Sequence, residues 1–98
     1  AKRFRDPDAT ERAALEDLAG ALAGLEPGSD AETIQNLVYE VGKRHPLPDL
    51  RAWFSCLYQV LLGQQEGPRF GGFVALYGIP ETIALIRSAL DRQANAAA

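Results

Sequence analysis

The sequence has few of the residues on which disulfides, metal sites and nucleophilic catalysis depend. Its 98 residues include one cysteine, Cys56, one histidine, His45, and no methionine. A lone cysteine forms no internal disulfide, which suits a reducing compartment. Because a structural zinc ion needs about four cysteine, histidine or carboxylate ligands, we expect no metal site. We also expect no catalytic residues, since Cys56 lies among apolar neighbours, where a buried and unreactive thiol is the expected state.

Long apolar runs are also missing. No stretch approaches the roughly eighteen consecutive apolar residues of a membrane span, and no signal-peptide pattern opens the chain. We therefore expect a soluble, cytoplasmic protein with no membrane partner. With 47% hydrophobic residues, the chain suits one small domain with a core of its own. The absence of an initial methionine leads us to expect a fragment of a longer chain.

Charge is distributed unevenly along the chain. The net charge of −3 argues against a protein that coats nucleic acid by bulk electrostatics. Residues 1–40 carry four basic and nine acidic side chains, whereas residues 41–98 carry six basic and four acidic. A polyanion should therefore meet the second half of the chain. The acidic first half leaves open another class of function, a helical bundle that binds a protein and no nucleic acid.

Apolar residues recur at helical spacing, and no segment alternates as a strand would. This pattern predicts an all-α fold, a compact bundle or cage of about five short helices. We divide the chain into an arm at residues 1–9 that is either a linker or docked, a helical domain at residues 10–91, and a flexible tail at residues 92–98.

Capping and stop residues predict the helix boundaries. The first helix should end at Pro27-Gly28, and Ser29 with Glu32 predicts a capping box for the second helix. The two prolines within residues 45–48 predict a loop. Four further positions complete the set. Asp49 should cap a third helix and Gly63 should stop it. Pro68 should occupy the first position of a fourth helix, and Pro80 should open a fifth.

The most informative stretch runs from Leu57 to Phe73 and reads LYQVLLGQQEGPRFGGF. It comprises a helix, a glycine stop, three polar residues and a Gly-Pro helix start with Arg69 on its first turn. Such a start directs free amides and the positive end of the helix dipole outward beside a guanidinium, which suits an anion or base pocket. The stretch lacks the Gly-Lys-Ser/Thr ending of a Walker loop, so we do not expect it to bind a nucleoside triphosphate.

This stretch, continued through Leu76-Tyr77-Gly78 and residues 83–90, closely resembles the C-terminal end of class I lysyl-tRNA synthetases. The resemblance extends back through Ile34-Gln35 and residues 38–43, and it covers about residues 10–90. Its most specific part is Leu-Leu-Gly-x-x-x-Gly-Pro-Arg, which ends at Arg69. Glutamyl-tRNA synthetases of bacterial type carry a looser Gly-x-x-x-Gly/Ser-Pro version and are the alternative family. Arg69 after the proline favours the lysyl family.

The resemblance implies an anticodon-binding α-helix cage. In such a protein the cage holds the anticodon loop of lysine tRNA, while a Rossmann-type catalytic domain of the same parent chain activates lysine with ATP and Mg. Both class I signatures, His-Ile-Gly-His and Lys-Met-Ser-Lys, are absent from this sequence. We therefore expect a lysine–tRNA ligase as the parent, and no cofactor and no aminoacylation activity in this chain alone. The oligomeric state is left open.

Gln64, Gln65 and Arg69 are the candidate base-reading residues. RNA loops are recognised by splaying bases out, stacking them and bonding their exposed edges. A uracil edge presents two acceptors around one N–H donor, and a glutamine amide matches part of that pattern. The alternatives are that both glutamines are ordinary solvated turn residues, and that Arg69 pairs with Glu66 or another acid at the surface.

The candidate phosphate contacts are Lys43, Arg44, His45 and Arg51, which the proline-rich loop can gather on one edge. The first three also end a helix, where cations suit the negative end of the dipole, so helix capping explains them without any ligand. Trp53, near a helix start, is a candidate stacking platform if it is partly exposed. Its helical spacing with other aromatic residues favours a core position instead.

Five further positions are candidates for structural roles in the motif. Gly63 should stop a helix, while Gly67 and Pro68 should set the turn and the next helix start whatever the ligand. A glycine inside a helix costs about 1 kcal/mol relative to alanine, so Gly71 and Gly72 should each permit a close approach. A neighbouring helix is a stronger candidate for that approach than an RNA backbone.

Overall fold

The computed structural model describes residues 2–97, which fold into helices joined by short loops. The helices are α1 (Ala9–Ala23), α2 (Ala31–Lys43), α3 (Leu50–Cys56), which continues as a π-helical segment at Leu57–Leu62, α4 (Phe70–Tyr77) and α5 (Ile79–Ala97). There is no strand within residues 2–97. The predicted all-α fold is confirmed. Taken singly, none of these helices is long and apolar enough to cross a membrane; α4 and α5 reach that length only together and are bent by 108°.

Aspartate side chains begin the first three helices. Asp8 accepts a hydrogen bond from the amide of Glu11, whose carboxylate accepts from the amide of Asp8, so the two form a capping box. Asp49 caps α3 as predicted. The predicted capping box at Ser29 is wrong. Asp30, one residue later, accepts from the amide of Thr33 and caps α2, because a carboxylate at this position reaches the free amide directly.

Three other predicted boundaries also differ from the structure. The first helix ends at Ala23, before Pro27 is reached. Pro68 is not the first residue of a helix, since α4 begins two residues later, at Phe70. The Pro68 carbonyl accepts a hydrogen bond from the Tyr58 hydroxyl at 2.7 Å. The fifth helix does not end at residue 91. It continues to Ala97, so the predicted flexible tail is helical through that residue.

The last turns of α5 are fastened to the start of the chain. Gln93 Nε2 donates to the carbonyl of Pro7 at 2.7 Å, and Arg12 Nη1 donates to the carbonyl of Leu90 at 3.1 Å and to Gln93 Oε1 at 2.9 Å. These bonds join the arm, α1 and α5. The outermost residues of the predicted arm and tail, Ala1 and Ala98, lie outside the described residues.

The core is formed by side chains of α1, α2, α3 with its π-helical continuation, α4 and α5. Trp53 is its largest fully buried side chain, and its indole N–H donates to the carbonyl of Val38 at 3.0 Å. Gly42 makes room for this indole, since a Cβ there would meet its Nε1 at 2.8 Å. Other fully buried members include Leu15, Leu18, Leu22, Ile34, Val38, Val41, Leu57, Phe70, Val74 and Ile86. The apolar stripes predicted from the sequence therefore face this core.

The contact between α2 and α4 depends on one glycine. A Cβ on Gly71 would lie 2.8 Å from the backbone nitrogen of Gln35, and the Gly71 amide donates to Gln35 Oε1 at 2.6 Å. The close approach predicted for Gly71 is confirmed, and its partner is a helix. The same prediction is wrong for Gly72, where a Cβ would meet nothing within 4 Å. Residues one apart on a helix face different directions, so only one of the pair meets α2.

Candidate functional site

Residues 63–69 form the turn between the π-helical segment and α4, and both ends of this turn are hydrogen-bonded to Tyr58. Gly63 adopts a left-handed conformation with φ 67°, as its predicted role of helix stop requires, and its amide donates to the carbonyl of Tyr58. A Cβ on Gly67 would meet the Tyr58 ring at 3.1 Å. Burial raises the pKa of the Tyr58 hydroxyl, which donates to Pro68. We call residues 63–69 the glutamine turn.

The polar side chains of the glutamine turn are exposed. Gln64, Gln65, Glu66 and Arg69 all lie at the surface. The Arg69 side chain is 63% exposed, and its guanidinium lies 4.0 Å from Glu32 on α2, at the limit of an ion pair. Its acidic neighbour is thus Glu32 in place of Glu66. An exposed pair at this distance is worth at most about 1 kcal/mol, so a stronger anion can displace it.

Arm residues 2–7 form the other wall of the turn. The Arg3 amide donates to the carbonyl of Gly63 at 2.9 Å, and a Cβ on Gly63 would meet the ring of Phe4 at 3.0 Å. The guanidinium of Arg92 lies 5.5 Å from the centre of that ring. A cleft of about 450 Å³ results, lined by Lys2, Arg3, Gly63, Gln64 and Gln65. Sequence patterning did not identify Lys2 and Arg3, because nothing in the arm itself indicates where it docks.

A chain of hydrogen bonds links the arm to the glutamine turn. Arg5 donates through Nη1 and Nη2 to the two carboxylate oxygens of Glu11, each at 2.8 Å, and through Nε to Gln59 Oε1. Gln59 Nε2 in turn donates to Gln65 Oε1 at 3.2 Å. The bond from Arg5 lowers the pKa of the Glu11 carboxyl, and the bond to Glu11 raises the pKa of Arg5.

Arg69 and residues of α4 line an apolar groove. Phe73 and Tyr77 stack at 5.1 Å between ring centres with 17° between their planes, and Tyr77 is 48% exposed. Leu76 is 88% exposed. The groove has a volume of about 660 Å³ and is lined by Pro68, Arg69, Gly72, Phe73, Leu76 and Tyr77. Phe73 and Tyr77 share the helical spacing of the buried residues Phe70 and Val74. Leu76 lies off that stripe, and its position was the one signal in the sequence for an exposed apolar face.

Three of the four predicted phosphate contacts are engaged within the chain. Arg44 binds both carboxylate oxygens of Asp17 on α1, at 2.8 and 3.1 Å, and His45 Nε2 lies 2.8 Å from the same carboxylate. The hydrogen bond from Arg44, and to a smaller extent the contact with His45, lowers the pKa of the Asp17 carboxyl. Lys43 pairs with Glu40 at 3.5 Å. Arg51 is exposed at the start of α3. We call Lys43, Arg44, His45 and Arg51 the histidine end.

Trp53 is not a stacking platform. Its side chain has no exposed surface, and its only polar atom donates to the carbonyl of Val38. A base could reach the indole only if the core opened. The core interpretation of Trp53 is confirmed, and its candidacy as an RNA contact is wrong. Burial likewise raises the pKa of the Cys56 thiol to about 12, so this cysteine is held in its unreactive protonated form.

Arg69 and the histidine end lie at opposite ends of α2. Glu32, beside Arg69, belongs to the first turn of α2, whereas Lys43 closes its last turn. At 1.5 Å per residue these ends are separated by roughly 17 Å along the helix axis. Arg69 and the histidine end therefore do not form one surface. The glutamine turn and arm residues Lys2 and Arg3 form one cluster, which we call the glutamine end, and the histidine end forms another.

The helix start beside Arg69 also differs from the prediction. The amide of Gly71 is buried and taken by Gln35, so the first turn of α4 is partly closed by α2 and does not direct all its amides outward. An anion at this position would be held by side chains more than by the helix terminus. Among residues 2–97, no three His, Cys, Asp or Glu side chains are grouped closely enough to hold a metal ion.

The fold and this surface define a small α-helical domain with an exposed amide-rich and cationic cleft at one end. Over 89 residues, 91% of its length, the chain is 51% identical to a lysine–tRNA ligase of Roseobacter denitrificans. It is 43% identical over the same extent to the lysine–tRNA ligase of Rickettsia bellii and 39% to that of Rickettsia felis. The predicted resemblance to lysine–tRNA ligases is confirmed at this level.

The chain spans 17% of the length of these curated relatives. It is thus similar, over most of its own length, to a short part of a tRNA ligase. No family model matches the chain. No solved structure matches it either.

Proposed function

We propose that this chain is the anticodon-binding part of a class I lysine–tRNA ligase and that it holds the anticodon loop of lysine tRNA at the glutamine end. The observation that carries the proposal is the cleft in which Gln64 and Gln65 lie exposed beside Lys2 and Arg3. Arg69, at the other end of the glutamine turn, borders the apolar groove. Similarity to lysine–tRNA ligases over 91% of the chain supports the parent activity.

The proposed mechanism is positioning. Phosphates of the loop lie against Lys2, Arg3 and Arg69, unstacked bases lie on the Phe73–Tyr77 face, and the glutamine amides bond to base edges. Lysine anticodons are rich in uridine, whose edge offers oxygen acceptors to a glutamine amino group. The chain thereby fixes one end of the tRNA while the acceptor end reaches a catalytic site elsewhere.

The chemistry belongs, in this proposal, to a Rossmann-type catalytic domain of the same parent chain. That domain binds ATP and Mg, activates lysine and transfers it to the tRNA, and the parent enzyme is cytoplasmic. This chain contributes no catalytic group. The curated relatives named above are lysine–tRNA ligases, which favours a lysyl parent over the glutamyl alternative.

The proposal is tested by titrating the chain with an isolated lysine anticodon stem-loop at low salt. We expect binding that prefers the lysine anticodon and weakens as salt rises, with a slope of about −0.7 per neutralised phosphate on a logarithmic plot. A stem-loop with a glutamate anticodon distinguishes the glutamyl family. Binding that ignores anticodon sequence and salt would favour the protein-binding bundle, and would contradict an anticodon-binding function.

A further inference from the structure

We propose that Arg5 and Gln59 are positioning residues that fix the orientation of the Gln65 side-chain amide, so that Gln65 presents its amino group and selects a base with a carbonyl oxygen at the position where cytosine carries its amino group. For a pyrimidine, this means uridine over cytidine. The inference rests on the proposed function and states which end of the Gln65 amide, the amino group or the oxygen, faces the base. It concerns residues 5 and 11 near the start of the chain and residues 59 and 65 in its second half, which are joined in one chain of hydrogen bonds.

The first step is set by the chemistry of arginine. A guanidinium has five N–H donors and no acceptor, so the atom of Gln59 that faces Arg5 has to be its carbonyl oxygen. Arg5 cannot turn away easily, because Glu11 holds it at two oxygens, each at 2.8 Å. Glu11 is itself fixed by the capping box with Asp8 at the start of α1. The orientation of the Gln59 amide is therefore determined from outside the turn.

The second step passes this orientation to Gln65. With its oxygen toward Arg5, Gln59 directs its amino group to Gln65, and the Gln65 oxygen accepts at 3.2 Å. A Gln65 amide flipped by 180° would place two amino groups face to face, which loses the bond and sets donor against donor. The amino group of Gln65 is thus directed away from Gln59, and Gln65 is exposed.

The third step is the selectivity that an outward amino group produces. Uracil carries a carbonyl oxygen at the position where cytosine carries an amino group, and the amino group of cytosine is a donor. A donor on Gln65 bonds to the oxygen of uracil and is left facing another donor when cytosine replaces it. A freely rotating glutamine would present either of its two faces and discriminate weakly between these bases. The relay through Arg5 and Gln59 removes that freedom.

The test measures the ratio of affinities for lysine anticodon stem-loops in which each anticodon uridine in turn is replaced by cytidine. At one position we expect the wild-type chain to prefer uridine by about tenfold, the loss associated with one unsatisfied hydrogen bond. In Gln59→Glu, the carboxylate accepts from both Arg5 and Gln65, so the Gln65 amide turns its oxygen outward. The preference at that position should then reverse in favour of cytidine.

Two further variants separate orientation from general damage. Gln65→Glu leaves the relay in place and offers acceptors only, so it should also favour cytidine at the same position. Gln59→Ala removes the relay without adding charge, so its uridine-to-cytidine ratio should fall toward one. Helix content by circular dichroism confirms that each variant is folded. Should Gln59→Glu not fold, Gln65→Glu and Gln59→Ala together still decide the question.

The outcomes distinguish this inference from the function on which it rests. If the wild-type chain binds no stem-loop, the proposed function fails and the inference fails with it. If the chain binds the lysine stem-loop but the variants lower both affinities in parallel, with the uridine-to-cytidine ratio unchanged, Gln59 has only a structural role. That result overturns the inference and leaves the proposed function standing.

Discussion

The histidine end and the glutamine end differ in what their polar side chains bind. At the histidine end, Arg44 and His45 converge on Asp17 at 2.8 Å, so their bonds are already made within the chain. At the glutamine end, Gln64, Gln65 and Arg69 are exposed in a turn that the arm and Tyr58 hold in place. The difference teaches that availability for a ligand depends on the partners a side chain finds, more than on its charge.

The largest expected effect concerns the core beside the histidine end. Trp53→Ala should destabilise the chain by about 3–5 kcal/mol, because it leaves a large cavity and removes the hydrogen bond from the indole to the carbonyl of Val38. Urea unfolding followed by circular dichroism measures the change. Leu76→Ala is the control, since Leu76 is 88% exposed and its truncation should alter stability by less than about 0.5 kcal/mol. A small loss in Trp53→Ala would contradict the buried position and reopen a surface role.

The next largest expected change in stability concerns the close packing of α4 on α2 beside the glutamine turn. Gly71→Ala should destabilise the chain by about 1–3 kcal/mol, because its Cβ would meet the backbone of Ala31 and Gln35. Gly72→Ala is a matched control, where a Cβ meets nothing within 4 Å. That substitution should be neutral or stabilise by up to about 1 kcal/mol. Equal effects at the two positions would show that the packing described for Gly71 is wrong.

Paired arginine substitutions compare the two ends directly as RNA contacts. Arg69→Ala should weaken binding of the lysine anticodon stem-loop about tenfold, within the range of a single contacting arginine. Arg44→Ala should leave that affinity within about twofold, because Arg44 is engaged by Asp17. Fluorescence anisotropy at one salt concentration gives both values. The opposite ranking would move the proposed site to the histidine end.

The smallest effect concerns the link between the arm and α1. The pKa of Glu11 is lowered in the folded chain, so Glu11 contributes stability above its ordinary value of 4.5 and loses it as pH falls through the lowered folded value. Glu11→Gln should lower the free energy of unfolding by about 1 kcal/mol at neutral pH. The loss is no larger because the partner, Arg5, is partly exposed and solvent screens the ion pair. Unfolding measured at about pH 7 and about pH 3 should show the difference from wild type shrinking in acid. A difference that stays constant with pH would exclude the ion pair as its source.

Most of the fold followed from local rules that act over a few residues. Apolar spacing identified the buried stripes, and Asp49 and Gly63 marked the limits of one helical stretch correctly because capping and left-handed stops depend on immediate neighbours. At the start of α2, where Ser29 and Asp30 are both possible caps, these rules predicted Ser29, whereas Asp30 caps the helix. The π-helical geometry of Leu57–Leu62 had no signal in residue type or spacing.

The site was less predictable, because its geometry depends on contacts across the chain. Gln64, Gln65 and Arg69 stood out in the sequence and are exposed, as a contact surface needs. Lys2 and Arg3 could not be found, since their position depends on how Phe4 packs on Gly63. Arg44 and His45 are adjacent in the sequence, but their pairing with Asp17 joins them to a residue of another helix. Sequence spacing does not report such pairs.

The most direct test of the proposed site is chemical-shift mapping of the chain with the lysine anticodon stem-loop. We predict that the shifts concentrate in residues 2–5, 63–69 and 72–77, which form the cleft and the groove. Residues 43–51 should change little, because the histidine end lies roughly 17 Å away along α2. Shifts concentrated in residues 43–51, with a silent glutamine turn, would contradict the account.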